Sequence, residues 1–155
     1  MDTRQLAVFT ADVQSQMQLI QQVAQLVELR AQGLQREDAA RLESVAYQIH
    51  NFYNAVEDLL KTIAVQFENQ IADTSRWHQL ILQRMTQEIT AVRPAFLSQR
   101  SFAALNALRG FRHFFRHALW SADRLRAQLI ANLNRSREVL PLLEQDVAKF
   151  LQQLR

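Results

Sequence analysis

Seven apolar residues, Leu42, Val45, Ile49, Phe52, Val56, Leu59 and Ile63, recur at alternating steps of three and four. On a helix of 3.6 residues per turn this spacing returns every side chain to one stripe for about six turns, the seam of a helical bundle. A β-strand would need alternation by two, and the segment has none. An extended coiled coil shares the rhythm, but the shorter, interrupted segments that follow favour a compact bundle. Only two glycines and two prolines punctuate the 155 residues, and nearly half of them are apolar, which suits helices joined by short turns. The expected fold is all-α, a compact up-and-down bundle of about five helices forming one domain over residues 1–155.

Around the seam the chain divides as follows. Leu6, Phe9, Val13, Ile20, Val23 and Val27 line one side of a first helix from about Thr3 to Gln32, with Gly33 as its stop and Asp38 or a neighbour starting the seam helix. Tyr47, His50, Tyr53 and Glu57 flank the seam and read as polar groups at a core margin. The apolar rhythm fails at about Glu68–Ser75, where Asp73, Thr74 and Ser75 are N-cap candidates. A third helix follows, with Trp77, Ile81, Met85 and Ile89 on one face, and is expected to reach Val92 before Pro94 stops it. Ser98 or Ser101 caps a fourth helix reaching about Trp120. The last segment carries Leu125, Leu129, Leu133, Leu143, Val147, Phe150 or Leu151, and Leu154, and Pro141 is expected to kink or divide it.

The net charge is +3 and the pI about 9.9, and arginine supplies nearly all of the basic groups, since lysine occurs only at Lys61 and Lys149. Arginine's planar fork of donors suits phosphate, and equally suits interface ion pairs. No cysteine is present, which excludes disulfides and thiolate metal sites. No run of about 18 apolar residues and no signal-peptide core occurs, so no membrane partner and a cytoplasmic location are expected.

Chemistry concentrates between Leu108 and Trp120, where the chain reads Leu-Arg-Gly-Phe-Arg-His-Phe-Phe-Arg-His-Ala-Leu-Trp. On a helix, Arg109, His113, Arg116, His117 and Trp120 share a polar stripe with Arg112 at its edge, while Leu105, Leu108, Phe111, Phe115 and Ala118 face the core. Three uses compete for the stripe. A metal site is suggested by the i, i+4 pair His113 and His117, but no Glu follows His113 as a zinc-protease motif needs, and the flanking arginines repel a cation. A plain electrostatic face would pair the arginines with acidic groups of another helix or subunit. An RNA-cleaving site would use a histidine to take the proton of a ribose 2′-hydroxyl and arginines to hold the phosphate as its charge grows, with no metal and no cofactor.

The run Arg112-His113-Phe114-Phe115-Arg116-His117 resembles the signature of the HEPN superfamily: an arginine, usually a polar residue next, and a histidine after four to six intervening positions. His50-Asn51-Phe52-Tyr53, Val56-Glu57-Asp58, Trp77-His78 and Arg93-Pro94-Ala95 extend the likeness to the HepT-like branch, over about residues 40–125. The resemblance implies a homodimer whose signature helices share a cleft, metal-independent endoribonuclease activity, and a toxin paired with an MNT-type nucleotidyltransferase antitoxin. It implies Arg112 and His117 as the cleaving pair, with His113 orienting the site or the phosphate. Arg109 and Arg116 are added as RNA-backbone contacts from the helical stripe. Leu119 stands where such proteins commonly carry a tyrosine that the antitoxin modifies with AMP, so the implied control by AMP transfer lacks its acceptor there.

Two other functions stay open on sequence alone. One is a HEPN-type module that binds RNA or a nucleotidyltransferase without cutting. The other is an oligomerisation device built on the seam helix.

Overall fold

The computed structural model describes residues 1–34, 38–69, 76–117 and 122–155, apart from the side chains of 114–117, 122, 123 and 125. Five helices follow in order: α1 (Thr3–Ala31), α2 (Ala39–Glu68), α3 (Trp77–Met85), α4 (Gln99–His117) and α5 (Ala122–Gln153). The described residues contain no strand, only an isolated bridge between Ile89 and Arg93. The chain is an all-α bundle, as the seam predicts.

Local chemistry sets the helix ends. Asp2 and Gln5 form a reciprocal capping box at the start of α1, satisfying two backbone donors that a helix N-terminus otherwise leaves open. Gly33, at φ +62°, turns the chain out of α1 in a conformation that costs glycine little. Asp38 accepts from the Arg41 amide at 3.0 Å and starts α2, and Asn69, left-handed at φ 48°, ends it. The candidates Asp73, Thr74 and Ser75 lie outside the described residues. Arg76, which precedes α3, makes no side-chain cap.

All seven seam residues of α2 are buried, and α2 touches each of the other four helices. It is the axis of the core. Phe9, Val13, Ile20 and Val27 of α1 close on it from one side, and Leu129, Leu133, Leu143, Val147 and Phe150 of α5 from another. At one end Phe9, Phe67, Phe96 and Phe150 meet edge to face, with centroids 5.2–6.5 Å apart, so α1, α2, α5 and the segment before α4 share one aromatic cluster.

One expectation about helix limits is corrected. The third helix ends at Met85, not near Val92, because the chain folds back around the buried Arg93. Ile89 and Arg93 exchange backbone hydrogen bonds at 2.9 and 3.0 Å, with Ala91 at φ 62° between them, and the Met85 carbonyl accepts from both Phe96 and Leu97. The Arg93 side chain donates to Glu68 at 2.8 Å and to the carbonyls of Arg84, Gln87 and Pro94 at 3.0–3.1 Å. The fourth helix is described as far as His117, and its expected end near Trp120 falls among residues 118–121, outside the described residues. Pro141, expected to kink or divide the last segment, does not divide it: it sits inside α5, which continues past it. Pro141 is exposed, so the carbonyl that loses its donor there is within reach of water.

Ser98 is the cap of α4. Its hydroxyl accepts from the Ser101 amide at 3.2 Å, and both its amide and its hydroxyl donate to Asp146 of α5, at 3.0 and 3.1 Å. This ties the start of α4 to the C-terminal part of α5. Ser98→Ala is expected to cost about 1 kcal/mol, read as a lower urea midpoint with an unchanged slope.

Candidate functional site

The candidate site is a face of α4 set against α2. Phe111 is buried beside Leu105 and Leu108, as the helical stripe predicts, which turns Arg109 and Arg112 to half-buried positions and His113 to the exposed side. Arg112 leans from the edge of the polar stripe onto α2, where its Nε donates to Asn54 Oδ1 at 3.3 Å. Arg109 Nε donates to Asn106 Oδ1 at 3.1 Å, one turn back on its own helix. Arg116 and His117 occupy the last turn of α4; their side chains lie outside the described residues, as do Leu119 and Trp120.

Beneath these arginines α2 presents a polar file. His50, Tyr53, Asn54 and Glu57 are spaced by three, one and three residues, so they share one face. Asn54 Nδ2 and His50 Nε2 lie 3.1 Å apart. Glu57 is buried, and its Oε2 lies 2.7 Å from Nδ1 of His78, the half-exposed histidine of α3. A buried carboxylate needs such a partner to remain in place. Tyr53, buried on the same face, feels the charges of both Glu57 and the arginines. Burial and then the negative charge of Glu57 push its phenol far above the ordinary value, against the opposing pull of Arg109 and Arg112. Tyr53 therefore stays a neutral phenol, and the positive charge of this face belongs to α4.

His50, Tyr53 and Glu57, which read from sequence as a core margin, thus form the floor under the signature arginines. Asn54 was not singled out. The available signal was positional, since it stands four residues after His50 and three before Glu57.

Gly110 lies exposed between Arg109 and Phe111, and a Cβ built there would meet nothing within 4 Å. No segment of the described chain approaches it. Gly110→Ala is expected to stabilise the protein by about 1 kcal/mol through helix propensity, seen as a higher thermal midpoint.

Other features sit elsewhere. A groove of about 770 Å³ between α1 and α5, floored by Val27 and Phe52, is crossed by ion-paired Glu28 and Arg137 and by hydrogen-bonded Gln21 and Glu144. The partners of each pair bind one another instead of converging on a centre, and neither pair belongs to the α4 face. Arg137 holds the Glu28 carboxyl below its usual range, but both side chains are about half exposed, so water and salt weaken the pair. Among the described residues no three His, Asp or Glu side chains gather as metal ligands, and no helix is long and apolar enough to cross a membrane.

No curated protein and no solved structure matches the chain. A family model described as HepT-like protein matches residues 44–154. The match runs beyond the stretch of about 40–125 that carries the sequence motifs, and it takes in α5, whose Asp146 anchors the α4 cap and whose apolar face completes the core. With a five-helix bundle, an Arg-His signature on α4 and the polar file of α2 beneath it, the chain belongs to the HepT-like proteins of the HEPN superfamily.

Proposed function

We propose that this protein is a metal-independent endoribonuclease, the toxin of a toxin–antitoxin pair, working as a homodimer whose α4 helices line one cleft. The observation that carries the proposal is Arg112: half-buried, tethered through Nε to Asn54, and followed by His113 and His117 on the helix that holds the family signature. A tethered guanidinium is pre-organised for phosphate, because its planar fork loses little freedom when it binds. His117 takes the proton from a ribose 2′-hydroxyl, and the 2′-oxygen attacks the adjacent phosphorus. Arg112 stabilises the charge that grows on the phosphoryl oxygens. The bond from phosphorus to the 5′-oxygen breaks, and that oxygen takes up a proton. His113 orients the phosphate, and Arg109 and Arg116 hold the neighbouring backbone. The substrate is single-stranded or looped RNA, where the 2′-hydroxyl and bases are accessible.

Control by an MNT-type nucleotidyltransferase antitoxin belongs to the same proposal. Because Leu119 has no hydroxyl to accept AMP, neutralisation by this partner rests on binding to the α4 face. The test is incubation of purified protein with single-stranded RNA in excess chelator, with sedimentation run alongside. Cleavage by a dimeric species supports the proposal. RNA left intact but retained by the protein would identify a binding module that does not cut.

A further inference from the structure

The contacts of Asn54 constrain more than its own side chain. An arginine Nε is always a donor, so the Asn54 atom facing Arg112 at 3.3 Å has to be the carbonyl oxygen. The amide nitrogen then faces His50, 3.1 Å from Nε2. That nitrogen is also a donor, so with this amide orientation His50 accepts through Nε2 and carries its imidazole proton on the buried Nδ1. A flipped Asn54 would set two donors against each other at Arg112. An imidazolium at His50 would do the same at Asn54.

We propose that Asn54 and His50 are positioning residues for Arg112: neutral His50, in its Nδ1–H form, fixes the orientation of Asn54, and Asn54 fixes the guanidinium that faces the phosphate. The catalytic half of this inference rests on the ribonuclease reading above; the hydrogen-bond order does not. The two α2 residues act through Arg112 and touch no reacting atom. Their place on the seam helix matters, because α2 packs against every other helix and gives Arg112 a rigid point of reference.

The order of donors is read first, by two-bond ¹⁵N correlation of the His50 ring in full-length protein near neutral pH. Wild type is expected to show the proton on Nδ1. Asn54→Asp, which accepts from Arg112 but cannot donate to His50, is expected to move it to Nε2 or to give the imidazolium. A wild-type ring protonated on Nε2, or a ring unchanged in Asn54→Asp, overturns the network. Function is read by a double-mutant cycle. Asn54→Ala is expected to lower kcat by about ten- to a hundredfold with KM within about twofold, and to have no further effect in an Arg112→Ala background. Equal losses in both backgrounds would mean a merely structural role and would overturn the positioning assignment. Wild-type protein that cuts no RNA would reject the ribonuclease reading and leave the ring measurement to decide the network by itself.

Discussion

Arg112→Ala is expected to lower the rate of RNA cleavage by about a thousandfold while the protein stays folded. Both parts follow from where the side chain sits. It is half-buried and its described hydrogen bond is to Asn54, so its loss leaves no buried charge behind and costs stability about 1 kcal/mol. In the proposed mechanism, by contrast, its charge acts on a transition state whose phosphoryl oxygens gain negative character, where removing one fixed donor typically costs 10²- to 10³-fold in kcat. His117→Ala removes the proposed general base and is expected to cost about 10²- to 10⁴-fold. The two losses should not multiply in the double variant, because base and phosphate clamp act on one step. Arg112→Lys keeps the charge but loses the planar fork and the Nε tether, so it should restore only a minor part of the rate. Circular dichroism and thermal unfolding, run beside the kinetics, separate these losses from misfolding.

Arg93→Ala should have the opposite profile, with its effect falling on stability. The Arg93 side chain is fully buried, and its donors serve the Glu68 carboxylate and three backbone carbonyls at the end of α3 and in the linker to α4. Truncation leaves a nearly buried Glu68 with only Arg84 as its ion-pair partner among the described residues, and takes the side-chain donor from the Gln87 and Pro94 carbonyls, while the Arg84 carbonyl keeps the Gln87 amide at 3.2 Å. Breaking a buried pair from one side typically costs about 3–5 kcal/mol, a large part of the 5–15 kcal/mol that holds a domain together. The expected result is a urea midpoint lowered far enough for partial unfolding in buffer. Arg93→Lys should recover little of it, since an ammonium has three donors on a point charge and cannot span the same partners.

These two arginines also mark what the sequence discloses. The seam of α2 was legible because burial by a regular helix imposes a period, and every residue of that period is buried. Gly33 and Asp38 were legible because a left-handed turn and a helix N-terminus each demand particular chemistry. Arg93 was visible only as part of a turn motif: an arginine is ordinarily a surface residue, and its burial depends on Glu68 and carbonyls brought together by the fold. The same long-range pairing explains the third helix. Ile89 continues the apolar rhythm of Ile81 and Met85, yet the chain leaves the helix to wrap around Arg93.

At the candidate site the division is similar. Arg109, Arg112 and His113 stand out from local composition, and their exposure follows from the burial of Phe111. The role of α2 did not stand out. His50, Tyr53, Asn54 and Glu57 lie more than fifty positions from Arg112 and become its neighbours only when α4 packs on α2. α5 was equally silent, because its period is that of any amphipathic helix, and its tie to α4 depends on Asp146 meeting Ser98 across 48 positions.

The chemistry claimed for α4 is most directly tested by the ends of the RNA it makes. If the 2′-hydroxyl of the substrate is the nucleophile, cleavage in chelator yields a 2′,3′-cyclic phosphate and a free 5′-hydroxyl, and RNA carrying a 2′-deoxy residue at the cleavage position is not cut. A 3′-hydroxyl with a 5′-phosphate, or cutting that continues at the 2′-deoxy position, would show that water is the nucleophile and would contradict the roles assigned to Arg112 and His117.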